Sequence, residues 1–485
     1  MSSPVKRVLV TGATGYIGRR LADRLSREEG ISVRLLARNV DKVGPALKNK
    51  TEVIEGDVLD PASLEPALSG VETAYYLVHS MGAGASFPEL DRRGALHFRE
   101  ACIAAGARRI VYLGGLGDKC AASRHLLSRI ETGEILSARP DRIQTVWFRA
   151  GIVIGSGSAS FEIVRHLVQK LPVMITPRFV RTRTQPIGVG DVVEYLAAAL
   201  SLGEKGDLIV DVGSEVMTFR QMLLETAEAM GLKRLLIPVP FLTPRLASYW
   251  LVLVTPVPYR IAGALVNGLR SETVARNDLA RTLFPGIRPR DFRESVRWAL
   301  KEAEEDQVLS AWCDSSAQAA CDVKGRERIP GGVYRETRVF PISGTTKRRV
   351  FDAAQSVGGR KGWPAFDRLW RVRGFVDKIL GGPGSSRGRR DAKTLRVGDS
   401  LDFWKVVDYR EGHRILLADQ MKLPGQAWLE FLVEEAALIQ TAYFLPRGLG
   451  GILYWFLMKP FHTLIFGRLG KGIVRMAREG PPRDP

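Results

Sequence analysis

Residues 5–18 read Val-Lys-Arg-Val-Leu-Val-Thr-Gly-Ala-Thr-Gly-Tyr-Ile-Gly, so that an apolar strand runs directly into three spaced glycines and then into a helical sequence. Gly12 is expected to form the tight turn, Gly15 to let a pyrophosphate approach the backbone, and Gly18 to let the helix pack on its strand. The N-terminal amides of such a helix bind anions. The order therefore predicts a dinucleotide site, with a glycine-rich turn that binds nothing as the alternative. The residues predicted to contact the cofactor in this motif are Gly12, Thr14, Gly15, Tyr16, Ile17 and Gly18.

The ends of the next two strands predict which dinucleotide binds. The second strand ends at Arg38, where an NAD-preferring site would carry an acidic residue for the ribose 2′-hydroxyl. A guanidinium suits a 2′-phosphate, so NADP(H) is predicted over NAD(H), with a solvated surface arginine as the alternative. The third strand ends at Asp57-Val58, a further predicted cofactor contact. Asp57 is expected either to bind the adenine amino group or to cap the helix before Pro61, and both alternatives stay open.

Length and composition limit the class of protein. The chain has 485 residues, more than one ordinary core accommodates, so two or three domains are expected. Apolar residues make up 45% of it and the mean hydropathy is -0.04, which is typical of a soluble globular protein. The four cysteines have no CxxC spacing and lie near no pair of histidines. Neither a disulfide framework nor a metal site is therefore expected.

The net charge of +19 has three interpretations: nucleic-acid binding, proximity to an anionic membrane surface, or an arginine-rich composition with no partner. The basic residues are scattered except at Arg387-Gly-Arg-Arg390, and no nucleic-acid motif surrounds them. Nucleic acid is therefore not the expected partner, and membrane contact ranks second to the composition alone. The Arg387–Arg390 loop is expected to be solvated, or else to meet an anionic head group.

The ends and the apolar stretches of the chain bear on its location. No signal peptide precedes the first strand, so a cytoplasmic protein is expected, with peripheral contact at the inner face of the membrane as an alternative. Residues 246–257 are too short to span a bilayer, and residues 449–466 contain Lys459 and Pro460. Both stretches are therefore predicted to be buried or interfacial helices.

Strand-like and helix-like runs alternate through the first part of the chain, which predicts an α/β fold with a Rossmann-type, doubly wound parallel sheet. The domain is assigned to residues 1–312, with a helical substrate subdomain over 235–311. A small, polar stretch at 313–332 is predicted to be a linker. The predicted strands of this domain are 7–10, 33–37, 52–54, 73–78, 109–113 and 145–154, and its predicted helices include 87–105 and 120–138.

The hydrophobic period changes to two in residues 333–485, which predicts a second, α+β domain with an antiparallel sheet. A closing helix over 448–477, broken near Pro460, is expected to follow the sheet. The predicted strands are 402–408, 414–421, 426–434 and 438–445.

Several motifs resemble one known family. The glycine motif, Arg38 and Asp57, together with Arg149-Ala-Gly151, Gln185-Pro-Ile187 and Asp191-Val192, resemble the atypical, NmrA-like short-chain dehydrogenases/reductases, over residues 4–310. The accessory subunit of respiratory complex I is a similar protein. The family contains both reductases and non-catalytic redox sensors, so the resemblance implies a nucleotide-binding protein and leaves its catalysis open.

The second domain resembles a bacterial domain of uncharacterised function that follows such dehydrogenases and is similar to START/polyketide-cyclase helix-grip proteins. That resemblance rests on Trp370–Gly374, Gly381-Gly382, Arg387–Arg390 and Met421–Gly425. It implies a curved sheet around a long C-terminal helix, with an apolar cavity for a lipid-, quinone- or polyketide-like molecule. An ordinary core is the alternative for the aromatic residues concerned. They are Trp363, Trp370, Trp404, Trp428, Phe431, Tyr443 and Phe444.

The catalytic residues of the family are missing. Short-chain dehydrogenases use a Ser and a Tyr-x3-Lys, but the fifth strand ends in Gly114-Gly115 and the next helix has no Tyr-x3-Lys. His125 and Arg129 have the same spacing, so His125 is a candidate acid and Arg129 a candidate contact to the nicotinamide ribose. A solvated helix face is the alternative. His79 is predicted to lie near the nicotinamide half of the cofactor, with a backbone-bonded core histidine as the alternative.

Two hypotheses of function follow. The first is an NADPH-dependent oxidoreductase that reduces an apolar carbonyl, quinone or enone compound. The second is a redox sensor or scaffold that binds NADP(H) without turnover. The absent Ser and Tyr-x3-Lys favour the sensor, whereas a second, ligand-binding domain favours the enzyme. The sequence predicts no oligomeric state.

Overall fold

The computed structural model divides into two compact units, residues 1–319 and 320–485. The predicted linker at 313–332, the apolar stretch 246–257, Trp370 and the loop with Arg387–Arg390 lie outside the described residues. The structure describes residues 6–80, 86–120, 122–239, 259–304, 334–359, 362–366, 374, 394–421, 423–446 and 448–479.

The first unit is built on a seven-stranded sheet in the order β11-β6-β5-β4-β1-β2-β3, in which all neighbours are parallel. This confirms the predicted Rossmann-type fold class. The strands β1 to β13 are Lys6–Thr11, Ile31–Ala37, Glu52–Glu55, Thr73–Tyr76, Arg109–Gly115, Gln144–Ala150, Val153–Ile154, Val173–Pro177, Arg183–Thr184, Ile187–Gly188, Leu208–Val212, Met217–Thr218 and Leu235–Val239. The helices α1 to α11 are Tyr16–Leu25, Pro45–Lys48, Pro61–Leu68, Phe87–Ala104, Arg124–Leu136, Ala159–Lys170, Val189–Ala198, Phe219–Ala229, Tyr259–Gly268, Leu279–Leu283 and Phe292–Glu304.

Strand β1 is central because the strand order reverses beside it, between β2 and β4. In such sheets, ligands bind in the crevice outside the carboxyl ends of the strands at this point. Thr11 ends β1 and is hydrogen-bonded to the end of the neighbouring strand β4 and the residue after it. Its hydroxyl donates to the carbonyl of Tyr75 (2.8 Å) and accepts from the amide of Leu77 (3.2 Å). The crevice is therefore held at a fixed width where β1 ends.

Alternation along β1 supplies both faces of the sheet with apolar side chains. Val8 and Val10 are completely buried in the core cluster on one face, whereas Leu9 is completely buried in the cluster on the other. A strand apolar on both faces must be covered by helices on both sides. This arrangement follows directly from the sequence of residues 5–18.

Two predicted elements differ from the structure. Residues 145–154 form two strands, β6 and β7, because the chain bends at Gly151. A Cβ at Gly151 would lie 2.0 Å from the carbonyl oxygen of Gln185. The segment 235–311 is not helical from its start: its first five residues form β13, which pairs in parallel with β8.

The motifs that contain Arg149, Gln185 and Asp191 make hydrogen bonds between elements of this unit. The Arg149 guanidinium donates two hydrogen bonds, of 2.6 and 3.0 Å, to the buried carboxylate of Asp211, which joins β6 to β11. The amide of Gln185 donates to the carbonyl of Thr273 (2.9 Å). Asp191 accepts from the amide of Arg290 at 3.1 Å. These residues fix the elements that follow the sixth strand.

The second unit has an antiparallel sheet in the order β14-β19-β18-β17-β16-β15, with a long C-terminal helix, which confirms the α+β prediction. Strand β14 was not predicted, because Arg335, Glu336 and Arg338 interrupt its apolar residues. Strand β15 was not predicted either, because it has only two residues. The strands β14 to β19 are Tyr334–Pro341, Ser400–Leu401, Trp404–Arg410, Arg414–Asp419, Gly425–Val433 and Ala437–Pro446. The helices α12 and α13 are Lys347–Gln355 and Gly448–Glu479.

Helix α13 continues without interruption through position 460, so the predicted break is wrong. Before position 460 the buried Trp455 stacks on Tyr334 and Phe444. After it, the buried residues Phe466, Leu469 and Ile473 join the core of the second unit, so the helix is packed on both sides of this position. Among the described residues, no helix is long and apolar enough to cross a bilayer.

Large aromatic residues fill the interior of the second unit. Trp404, Trp428, Phe431 and Phe444 are each less than 5% exposed. The indole of Trp363 donates to the carboxylate of Asp402 at 2.8 Å. These side chains therefore pack as core in the described residues, and a ligand cavity between them stays a prediction.

Candidate functional site

The glycine turn after β1 leaves no room for side chains at two positions. Gly12 has a φ of +66°, a left-handed conformation that glycine adopts without strain. A Cβ there would lie 2.5 Å from the carbonyl oxygen of Leu77. A Cβ on Gly18 would lie 2.2 Å from the carbonyl oxygen of Gly12. Helix α1 therefore rests directly on the turn, as the sequence predicts.

The start of α1 is suited to an anion. Its N-cap is Gly15, which offers no side-chain cap, and the first turn carries no acidic residue. The first intrahelical bond beyond the cap runs from the amide of Arg19 to the carbonyl of Gly15 (3.1 Å). The amides of Tyr16, Ile17 and Gly18 precede it and have no acceptor within the helix. Together with the positive end of the helix dipole, these amides fit a phosphate.

Arg38 and Asp57 lie at the edge of the sheet beside this turn, with 4.0 Å between Nη1 of the arginine and Oδ2 of the aspartate. About half of the Arg38 side chain and a third of that of Asp57 are exposed. The alternative that Asp57 caps the next helix is wrong, since Asp60 caps α3 by accepting from the amide of Ala62. Val58 is buried in the core beneath α3. Contact of these residues with the cofactor stays a prediction.

A chain of three side chains runs from the interior to the carboxyl edge of the sheet. Oδ2 of Asp91 lies 2.8 Å from Nδ1 of His79, and Nε2 of His79 lies 3.0 Å from Nδ1 of His125. Asp91 is also the acceptor for the amide of Ser80 (2.7 Å) and the hydroxyl of Ser128 (2.9 Å). The alternatives of a backbone-bonded His79 and of a solvated His125 are therefore wrong, because both rings are held by side chains.

Burial is the largest influence on the pKa values of Asp91, His79 and His125. Burial lowers the pKa of His79 below its usual value, although the hydrogen bond with Asp91 opposes the shift. The pKa of His125 is lowered further, by burial and by the charges of His79 and Arg129. Burial raises the pKa of Asp91, but its hydrogen bonds with His79, Ser80 and Ser128 outweigh burial, and the net pKa is lowered. At neutral pH this row of three side chains therefore consists of the Asp91 carboxylate and the neutral imidazoles of His79 and His125.

Arg129 ties α5 to the sheet. Its Nη2 donates to the carbonyl of Leu113, and its guanidinium lies 5.3 Å from the ring centre of Tyr112. The hydroxyl of Tyr112 donates to the carbonyl of Arg129 (2.8 Å). This mutual attachment holds the first turns of α5, and with them His125, against β5.

An apolar cavity of about 300 Å³ opens beside His125. Gly115 and Ala150, which end β5 and β6, form part of its wall, so it lies at the same edge of the sheet as the glycine turn. His125 is the one ionisable side chain among the described residues that line it. The apolar part of the lining includes Leu116, Ile163, Leu167, Met174, Phe219 and Leu265.

The structure explains why glycine replaces the usual serine at the end of β5. A Cβ on Gly114 would lie 2.4 Å from Nε1 of Trp147. A Cβ on Gly115 would lie 2.9 Å from the side chain of Leu126, whose helix also carries His125. The space of a serine side chain is thus taken by the indole and by the approach of α5. A serine at Gly114 would have to displace the indole of Trp147, and one at Gly115 would have to move the end of the Leu126 side chain.

Sequence reasoning missed Asp91 and Ser128. A signal for Asp91 was available: it continues the buried stripe of α4, with Ala95 four and Phe98 seven residues further along. An acidic residue on a buried helix face needs partners. Its partners could not be predicted, because His79 and Ser128 lie on other elements.

Comparison with known proteins supports the assignment of both units. Residues 12–139 match a family model described as NAD(P)H-binding, and residues 328–469 match a protein family of unknown function, DUF2867. The N-terminal part of the chain therefore contains an NAD(P)H-binding Rossmann domain that is similar to short-chain dehydrogenases/reductases of the NmrA-like type. It is followed by a DUF2867 domain. The similarity of this second domain to START proteins stays a prediction.

Several relatives of the N-terminal part are reductases or dehydrogenases, which supports an oxidoreductase. A (4-alkanoyl-5-oxo-2,5-dihydrofuran-3-yl)methyl phosphate reductase of Streptomyces griseus is 25% identical over 308 residues, covering 61% of this chain and 98% of the relative. A ceramide reductase of Caulobacter vibrioides is 28% identical over 240 residues, covering 48% of this chain and 73% of the relative. The triphenylmethane reductase of Citrobacter sp., with 20% identity and a TM-score of 0.50, covers 61% of this chain and 99% of its own, and it shares the fold.

Substituting Gly18 tests the glycine turn. Gly18→Ala should weaken NADPH binding at least about tenfold, because the new methyl group must push α1 away from the turn that holds the phosphates. Tryptophan-to-nicotinamide energy transfer in a titration measures the dissociation constant. Gly203→Ala is the matched control, since a Cβ there meets nothing within 4 Å. Equal affinities of the two variants would contradict this role for the turn.

Proposed function

We propose that this protein is an NADPH-dependent reductase that acts on an apolar carbonyl, quinone or enone compound. One observation carries the proposal: an apolar cavity with a single described ionisable side chain, His125, lies at the same carboxyl edge as the dinucleotide turn. Such an edge is where the ligands of open α/β sheets bind. The reductases among the relatives support the same reaction class.

The cofactor end of the site rests on α1 and Arg38. The amides at the start of α1 hold the pyrophosphate, and the Arg38 guanidinium holds the 2′-phosphate that distinguishes NADPH from NADH. Arg38 lies at the carboxyl end of β2, and its half-exposed side chain is accessible to a phosphate. When bound, NADPH supplies a hydride to the substrate.

The substrate end of the site rests on the cavity and His125. The mostly apolar wall favours an apolar molecule, since a polar one would lose hydrogen bonds to water there. Reduction of a carbonyl adds one hydride to carbon and one proton to oxygen. His125 is placed to deliver that proton, which solvent then replaces. Arg129 is a positioning residue in this scheme, because its contacts hold α5 against β5.

The second candidate function is a redox sensor that binds NADP(H) without turnover. It is favoured by Gly114 and Gly115, which stand where the family carries its serine, and by the absence of Tyr-x3-Lys from the sequence of α5. The DUF2867 domain would then transmit the state of the cofactor or hold an apolar molecule. Turnover of a small apolar carbonyl separates the two candidates.

The role of the positive charge of Arg38 in cofactor preference is tested by replacing it with a negative charge. Arg38→Glu should weaken NADPH binding by about 1.5–3 kcal/mol, the usual contribution of a hydrogen bond to a charged group, and should leave NADH binding largely unchanged. Isothermal titration with both cofactors measures the ratio. Arg93→Glu makes the same change of charge at an exposed position of α4 and should alter neither affinity. Equal loss of both cofactors in the Arg38 variant would contradict the preference for NADPH.

The role of His125 as proton donor is tested by replacing its imidazole with a phenyl ring, which has no exchangeable proton. His125→Phe should lower kcat for acetophenone, menadione or chalcone about 10²- to 10⁴-fold, the usual contribution of a general acid, while NADPH affinity stays unchanged. Absorbance of NADPH follows the reaction with each probe. A variant as fast as the wild type would exclude His125 as the proton donor. Tight NADPH binding without turnover of any probe by the wild type would favour the sensor.

A further inference from the structure

We propose that Asp91, His79 and His125 form a proton relay that makes Nε2 of His125 the atom that exchanges protons with a ligand in the cavity. This inference deepens the proposed function, and its test below does not depend on turnover. Asp91 and His79 act through His125, so they are positioning residues. His125 is the member that lines the cavity.

The hydrogen bonds dictate one pattern of protons along the chain. A carboxylate can only accept, so Nδ1 of His79 carries the proton of the 2.8 Å bond. Nε2 of the neutral His79 ring is then an acceptor, and Nδ1 of His125 must donate across the 3.0 Å contact. This leaves Nε2 of His125 unprotonated. Among the described residues it has no hydrogen-bond partner.

Asp91 is fixed by two further donors, so it cannot turn away from His79. The amide of Ser80 donates to Oδ1 and the hydroxyl of Ser128 to Oδ2. The aspartate is 5% exposed, and an unpaired carboxylate at that depth would be costly. Its negative charge also compensates any positive charge that the two rings take up. The relay can therefore hold one extra proton without a net charge.

Other charged and titratable groups face the relay. Arg129 lies on the same helix as His125 and lowers the pKa of both histidines. The ring of Phe87, from α4, lies edge-on to His79, with the ring centres 6.1 Å apart. The guanidinium carbon of Arg124 lies over the same Phe87 ring, 5.4 Å from its centre. The charge of Arg129 opposes the extra proton on the histidines, and that of Asp91 favours it.

The relay accounts for the proton that moves in each direction of the reaction. In oxidation, an alcohol loses its hydroxyl proton to Nε2 of His125 and its hydride to NADP⁺, which yields the carbonyl compound and NADPH. In reduction, the protonated His125 returns that proton to oxygen as hydride reaches carbon. Since burial lowers the pKa of both rings, the resting relay accepts protons at neutral pH, and reduction should accelerate as the pH falls.

Nitrogen-15 NMR of the histidine rings tests the relay directly. The full-length protein is labelled at histidine, and spectra of His79→Phe and His125→Phe assign the two rings among the six histidines of the chain. The expected wild-type state is His125 protonated at Nδ1 only, at neutral pH. His125 protonated at Nε2 in the wild type would overturn the relay, whether or not any substrate is known.

Asp91→Asn should invert the pattern. The amide of Ser80 requires an oxygen opposite it, so the asparagine NH₂ group would face His79 and donate to Nδ1. His79 would then donate from Nε2 to His125, whose proton would move to Nε2. Oxidation of phenylethanol by NADP⁺ should fall about 10²-fold or more, because the accepting atom is blocked. A folded Asp91→Asn protein with an unchanged His125 tautomer would overturn the relay.

Ser128→Ala is the matched control, since it removes one donor to Asp91 and leaves both histidine bonds in place. The tautomer of His125 should stay as in the wild type. Failure of the proposed reductase function would look different: NADPH would bind and no probe would turn over, while the NMR result still reports on the relay.

A second inference rests on a different observation, the exposed face of α13. Five large apolar side chains of this helix are more than half exposed: Leu453, Phe456, Leu457, Phe461 and Leu464. Leu453, Leu457, Phe461 and Leu464 follow one another at spacings of four, four and three residues, and Phe456 is adjacent to Leu457, so all five share one broad face of the helix. The apolar part spans twelve residues, about 18 Å of helix, which is too short to cross a bilayer.

The same face continues as a basic one. Arg468, Lys471 and Arg475 follow Leu464 at spacings of four, three and four residues, and all three are exposed. The helix carries one acidic residue, Glu479, at its last position. An apolar face that turns basic along one helix matches a lipid surface with anionic head groups, where the apolar half enters the interface and the cations bind phosphates. We infer that α13 attaches the protein to an anionic membrane surface.

Vesicle flotation tests this attachment with the full-length protein. Vesicles of phosphatidylcholine with phosphatidylglycerol should carry the wild type, and pure phosphatidylcholine vesicles should carry much less. Leu457→Glu with Phe461→Glu should abolish flotation, and added salt should reduce it. Val339→Glu changes an equally exposed apolar residue on β14 and should float like the wild type.

The alternative occupant of this face is a second copy of the chain. Light scattering after gel filtration measures the mass of the wild type and of the Leu457→Glu/Phe461→Glu protein. A wild-type dimer that the substitutions convert to a monomer, without binding to anionic vesicles, would overturn the membrane assignment. A wild type that binds both kinds of vesicle equally would overturn the role of the cations.

Discussion

The close contact between α1 and the turn after β1 is the constraint on which the rest of the first unit depends. No Cβ fits on Gly12 or Gly18, so the helix lies directly on the strand that it follows. That contact aims the first amides of α1 along the carboxyl edge of the sheet. It also fixes the crevice between β1 and β4, where Thr11 joins the two strands. Every group assigned to the site is arranged around this edge.

A buried carboxylate organises the other end of the site. Asp91 is satisfied by three donors from two segments, residues 79–80 and helix α5, so its position is determined by elements that meet only in the folded protein. A half-satisfied network of this kind would destabilise the unit, and a complete one makes it rigid. The consequence is a His125 ring that is held by a side-chain hydrogen bond and that lines an apolar cavity. Under the proposed function, a relay of this kind would take the place of the serine and tyrosine of the family as the source of protons.

The described residues of the second unit contribute a distinctive surface. Its described aromatic residues are packed as core, so the outer face of α13 is its most unusual feature. A helix whose outer face carries large apolar side chains in its first half and basic ones in its second is suited to the boundary between water and lipid. A reductase held at such a boundary would receive apolar substrates from the membrane, and the apolar cavity of the first unit would suit them.

The sequence by itself determined the fold class of both units, the glycine turn and the position of Arg38, because these depend on local order: a strand, a turn that excludes side chains, and a helix. It also placed His125 among the candidates by its spacing from Arg129. Only the tertiary structure decided that His79 and His125, 46 positions apart, share a hydrogen bond, and that Asp91 completes the chain. It likewise decided that residues 235–239 form a strand, since β8 supplies the partner. Such pairings between distant segments have no local signature, so they follow from packing alone.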